Sequence, residues 1–164
     1  MPTADRRHVF ISHHHQDDAE VDKLTRLLNR AGSDVRNSSI RAKPANQERL
    51  NQGLVKDETI RRLLRMKISW AGAVIVLIGK DTHSRPWVNW EIEQAHKQGK
   101  RIVGVYTRGG GEAGIPPSFE DCGGALVKWN SERILDALDG KISPFEAPDG
   151  TPRAPVHTPQ KCRC

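Results

Sequence analysis

The residues best suited to do chemistry are an acid and its aromatic neighbours in the stretch Ser84 to Gln98, S-R-P-W-V-N-W-E-I-E-Q-A-H-K-Q. Spacings of three and four put Val88, Glu91, Ile92 and Ala95 on one helical stripe, with Trp87 one turn below Glu91. Glu91 therefore shares the face that must look inward. A carboxylate held against apolar and aromatic groups loses hydration, so it persists only with a partner, a raised pKa or a ligand. In such a place its charge can stabilise a developing cation, which makes Glu91 the candidate catalytic group. A capping-box role would put the cap at Val88, which has no oxygen to offer. Glu93, His96 and Lys97 need only a solvated face.

A second set follows the first apolar run, in H-V-F-I-S-H-H-H-Q-D from His8 to Asp17. Ser12 can bond loop backbone or a substrate hydroxyl. His14, whose charge changes near neutral pH, can meet a phosphate or position a ribose. Asp17 is placed to cap a helix, with Glu20 at the capping-box position, and is a weaker candidate for substrate contact. Trp87 can stack on a base beside the carboxylate, whereas Trp90 is assigned to packing. Alternate residues of an extended loop share a face, so His13, His15 and Asp17 support a competing reading as ligands of a hydrolytic metal.

These groups need elements to hold them. His8 to Ser12 reads as the first strand, and the helix after it buries Val21, Leu24, Leu27, Leu28 and Ala31 before Gly32 ends it. Val35 to Ile40 is a weaker strand, and Ala42 to Leu54 is polar and irregular. Asp57 opens a helix whose Ile60, Leu63, Leu64 and Ile68 recur at helical spacing up to Trp70. Ala73 to Ile78 is unbroken aliphatic, as a strand buried on both faces of a parallel sheet must be. Pro86 suits a first helical turn and Gly99 a helix end. Arg101 to Tyr106 is a fourth strand, Thr107 to Cys122 a Gly- and Pro-rich loop, Ala125 to Trp129 a last strand, and Ser131 to Leu138 a last helix.

Strands alternating with helices predict an α/β, flavodoxin-like, doubly wound parallel sheet of about five strands in order 2-1-3-4-5, with helices on both faces. Ligands of such sheets sit beyond the carboxyl ends of the strands where the order reverses, here between the first strand and Ala73 to Ile78. Ser12 ends one of those strands and Glu91 follows the other.

With 164 residues the chain can form one domain, residues 1–139, followed by a tail over 140–164 in which recurrent proline prevents regular structure. That tail is expected to be disordered and dispensable. The net charge of +6 is scattered apart from Arg61, Arg62, Arg65 and Lys67, which fit a solvated helix face better than a nucleic-acid patch. Cys122, Cys162 and Cys164 are an odd number without framework spacing, which suits a reducing compartment and predicts no disulfide. No apolar run reaches bilayer length and no secretory pattern opens the chain, so a cytoplasmic location without membrane contact is expected.

V-F-I-S-H-H-H-Q-D at Val9 to Asp17, V-L-I-G at Val76 to Gly79 and W-V-N-W-E-I at Trp87 to Ile92, in this order and on these elements, resemble a TIR (Toll/interleukin-receptor) domain, most closely the TIR-like proteins of bacterial Thoeris antiphage systems. The resemblance implies cleavage of NAD, as substrate rather than cofactor, at the nicotinamide glycosidic bond. It places the family's catalytic glutamate on Glu91 and its histidine on His14. It further implies multimerisation and a downstream effector that reads the nucleotide product. Residues 41–53 match no family pattern. The rival within the same resemblance is a non-enzymatic TIR-type assembly module in which Glu91 is structural.

Overall fold

The computed structural model describes residues 5–13, 18–37, 57–80, 82–84, 86–107, 110–111, 114–142 and 145–152. In chain order its elements are β1 (Asp5–Ser12), α1 (Asp18–Arg30), β2 (Ser33–Asn37), α2 (Asp57–Trp70), β3 (Ala73–Ile78), a 3-10 turn (Thr82–Ser84), α3 (Pro86–Lys97), β4 (Arg101–Tyr106), α4 (Pro117–Cys122), β5 (Ala125–Val127) and α5 (Ser131–Leu138). The strands pair in parallel in the order β2-β1-β3-β4-β5. This is the doubly wound sheet expected from the sequence, with its order reversing between β1 and β3.

Every residue of β3 is buried, because helices cover both faces of the sheet. The two-residue period of a strand sorts the core into two layers. Phe10, Val74, Val76, Ile78, Ile102, Tyr106 and Leu126 pack with Ile60, Leu64 and Ile68 of α2, with Val88, Ile92 and Ala95 of α3, and with Phe119 of α4. Val9, Ile11, Ile75, Leu77, Val103, Val105, Ala125 and Val127 pack on the other side with Val21, Leu24 and Leu28 of α1 and with Ile134 and Ala137 of α5.

Several expectations shift. β1 begins three residues earlier than His8, β2 begins two residues earlier than Val35, and β5 stops at Val127 rather than Trp129. The stretch expected to be loop after β4 contains α4, whose short Pro-initiated turn buries Phe119 completely. Burying a ring of that size stabilises by roughly 1.5–3 kcal/mol, enough to hold one and a half turns of helix against the sheet. Leu63 is 37% exposed although its spacing put it on the inward stripe of α2; together with Met66 and Trp70 it faces away from the sheet.

The tail expected from Gly140 onward is also corrected. Phe145 bridges Leu126 in parallel, and the Glu146 N–H donates to the Leu126 carbonyl at 2.9 Å. The Glu146 side chain is buried, pairs with Arg133 and accepts from the Lys128 N–H. That carboxylate also holds Arg133 above its ordinary pKa. The Tyr106 hydroxyl donates to the Glu146 carbonyl, and Arg101 donates to the carbonyls of Ala137 and Ile142. Residues 145–152 thus close the β5 edge of the sheet, and recurrent proline does not prevent it because an edge strand leaves some N–H groups unpaired anyway. Residues 153–164, with Cys162 and Cys164, lie outside the described residues, as do residues 38–56.

Candidate active site at the carboxyl ends of β1 and β3

Pro86 opens α3 immediately after the 3-10 turn, so the helix starts at the carboxyl end of β3 and runs back across the sheet. Thr82 fixes that start. Its buried hydroxyl accepts from the Gly79 N–H at 2.8 Å and donates to the Leu77 carbonyl at 3.3 Å, tying the turn to the strand it leaves. Asn89 adds a second tie, accepting from the Ser118 N–H and donating to the His83 carbonyl. At the other end Gly99, with φ of 71°, takes the left-handed conformation that ends the helix where the sequence placed it.

Held this way, α3 buries Val88, Ile92 and Ala95 fully, and Glu91 with them at 3% exposure. The carboxylate does not stand alone. Ser12, the last residue of β1 and itself fully buried, donates its hydroxyl to Glu91 Oε1 at 3.0 Å. Strand alternation explains the meeting: Ser12 points to the same side as Phe10, toward α3, and it pairs in the sheet with Val76 of β3. A hydrogen bond to an ionised acceptor contributes about 1.5–3 kcal/mol, which offsets part of the cost of taking the carboxylate out of water.

A loop from the far side of β3 bounds the same end of the sheet. After β4, Thr107 donates to the Ile78 carbonyl through both its N–H and its hydroxyl. Gly110 and Gly114 then pass so close to β3 that a Cβ would lie 2.1 Å from the Ile78 oxygen and 2.2 Å from the Gly79 oxygen. By letters alone Gly109, Gly111 and Gly114 have the G-x-G-x-x-G spacing of dinucleotide-binding loops. The glycines at 110 and 114 are explained by this approach to β3. The loop also leads into the six-residue α4 rather than the long crossover helix that motif requires.

Of the sequence-predicted site residues, Glu91 and Ser12 are brought together. His14 and Asp17 lie outside the described residues, as do His15 and the loop over residues 41–53. His13 is buried, and its Nδ1–H donates to the Ile11 carbonyl at 3.0 Å, an anchor for the chain leaving β1 that sequence reasoning did not find. Among the described residues no three His, Cys, Asp or Glu side chains lie close enough to hold a metal ion. The metal reading required His15 and Asp17.

Trp87 is half-buried, edge-to-face with Trp90 at 5.7 Å between ring centroids. Arg61 and Arg65, one turn apart on α2, lie over the Trp87 and Trp90 rings at 5.8 and 5.7 Å. Lys67 lies 5.1 Å from the centroid of Trp70. Most of the one basic cluster in the sequence is thus engaged with aromatic rings. Both tryptophans join α3 to α2. No described helix is long and apolar enough to cross a membrane.

A family model described as Thoeris protein ThsB, TIR-like domain, matches residues 10–111, a span that takes in both Ser12 and Glu91. A search of curated proteins finds no match. Among solved structures, the chain is similar to a Clostridium botulinum CMP N-glycosidase, BcmB, at 15% identity over 81% of this chain and 98% of that one, with a TM-score of 0.49. It is also similar to the TIR domains of the activated Roq1 resistosome directly recognizing the pathogen effector XopQ, at 19% identity over 61% of this chain and 57% of that one, TM-score 0.41. A prokaryotic SEFIR domain matches at 17% identity over 82% and 89% of the two chains, TM-score 0.43. These distant structural likenesses carry no argument about chemistry. The family match covers more than half of the chain and contains the β1 serine and the α3 glutamate, and on that ground the protein belongs to the family of Thoeris ThsB TIR-like domains.

Proposed function

We propose that the protein cleaves NAD at the nicotinamide glycosidic bond, with Glu91 as the catalytic residue, and releases an ADP-ribose-derived signal in antiphage defence. One observation carries the reading: a buried carboxylate, hydrogen-bonded by Ser12, stands at the carboxyl ends of the two strands between which the sheet order reverses. Membership of the Thoeris family supports the setting.

The chemistry suits a single acid. The C–N bond breaks with its electron pair going to the pyridinium nitrogen, so nicotinamide leaves neutral and needs no proton. The ribose becomes an oxocarbenium ion. Glu91 stabilises that positive charge electrostatically and accepts hydrogen bonds from ribose hydroxyls, while Ser12 holds the carboxylate in place. Attack by water gives ADP-ribose and one proton; attack by a group of the substrate itself gives a cyclic product. His14 meets the phosphates or ribose, Trp87 offers its ring to a base, and Asp17 makes a weaker contact. NAD enters as substrate, and no resident cofactor is invoked. A second effector protein reads the product, and copies of this chain assemble when triggered.

The competing reading, an assembly module, treats the bond between Ser12 and Glu91 as structural. Incubation of the purified protein with NAD, followed by mass identification of products, separates the two. Nicotinamide released in step with an ADP-ribose species supports the enzyme. No release over a wide range of protein concentration, alone or with infected-cell extract, supports the module.

A further inference from the structure

On the face of the sheet opposite Glu91, a cavity of about 270 Å³ opens between α1 and the loop that joins β5 to α5. It is lined by Glu20, Lys23, Arg26, Leu27, Arg30 and Trp129, three cations against one acid. Lys23 is already paired with Glu20 at 3.0 Å. Arg26 and Arg30 face no carboxylate within ion-pair distance among the described residues, even though Asp22 lies one turn before Arg26. Two guanidinium groups four residues apart on a helix repel each other. Arg30, in the last turn of α1, is accounted for by the helix dipole, but that leaves Arg26 unexplained. Trp129 packs its half-buried ring on the α1 side of the core and lines the cavity with what remains exposed.

We propose that this cavity binds a nucleoside monophosphate. Paired guanidinium groups recognise a phosphate through their planar forks, and an indole face stacks a base of any identity. Leu27 supplies apolar wall, and the Glu20–Lys23 pair supplies both a donor and an acceptor for sugar hydroxyls. The volume lies just below the range of about 300–1,000 Å³ usual for small-molecule sites, which suits a mononucleotide and not a dinucleotide. The site is on the other side of the sheet from Ser12 and Glu91, so it does not depend on the proposed NAD chemistry.

The test is calorimetric titration of the full chain with AMP, with adenosine and inorganic phosphate as the separate halves, at low salt. AMP is expected to bind at least tenfold more tightly than either half. Arg26→Ala/Arg30→Ala, exposed positions whose loss leaves the fold intact by circular dichroism, should weaken AMP by more than tenfold, and Trp129→Leu should weaken AMP but not phosphate. Glu91→Gln should bind AMP as wild type does. Phosphate binding as tight as AMP would overturn the nucleotide assignment. Undiminished AMP binding by the double arginine variant, or no binding at millimolar AMP, would overturn the site.

Discussion

Ser12 and Glu91, 79 residues apart in the chain, are joined by a 3.0 Å hydrogen bond inside the core, hydroxyl to carboxylate, where β1 ends and α3 has completed its first turn. The bond makes the roles of the two residues separable by experiment.

Glu91→Gln keeps the shape of the side chain and an oxygen to accept from Ser12, but removes the charge that stabilises the oxocarbenium ion. NAD turnover should fall on the order of a hundred- to a thousandfold, the size of effect seen when a comparable electrostatic group is lost. The fold should be unchanged, since a neutral amide costs less to bury than a carboxylate. Turnover and melting temperature measured on the same preparation decide it, and wild-type turnover by a well-folded variant would sink the catalytic assignment.

Ser12→Ala takes away a donor and leaves the carboxylate less well satisfied. Stability should drop by about 1–3 kcal/mol. In the Glu91→Gln background the same change should cost less, because the bond it breaks is then between neutral groups. A double-mutant cycle by denaturant titration measures the difference, and strict additivity would mean that the two side chains do not interact in solution.

Truncation after Gly140 should destabilise the domain, lowering its melting temperature by roughly 5–10 °C, because Tyr106, Lys128, Arg133 and the Leu126 backbone all lose partners in Glu146 and Phe145. Arg133 is about two-fifths exposed, so its ion pair is a minor part of that loss. Truncation after Pro152 removes none of these contacts. Equal melting of the full chain and the chain ending at Gly140 would show that the segment does not dock.

Trp87→Ala should reduce turnover more than Trp90→Ala, since Trp87 stands one turn from Glu91 at the end of α3 nearest the strand termini. Both rings carry an arginine of α2, so both variants should lose stability, and Arg65→Ala should cost about 0.5–1 kcal/mol with turnover unaffected. Loss of activity in a folded Trp90→Ala alone would place the other ring at the substrate.

Much of this was legible from residue order because it rests on local periodicity. The aliphatic run of β3, the inward stripe of α3 and the alternation of strands and helices are patterns with a period of two or about 3.6 residues, and they determine both the parallel sheet and the burial of Glu91. What periodicity cannot carry is contact between distant segments. That Ser12 is the partner of Glu91 follows from the pairing register of β1 with β3 and from where α3 crosses them. Leu63 has the right spacing yet stays exposed, because the covered width of α2 depends on its neighbours. The same holds at the carboxyl end: Pro148 and Pro152 argued for a tail by composition, but the open edge of β5, with unpaired backbone groups and a buried place for Glu146, exists only once the sheet is assembled, and it is that edge which draws the segment in.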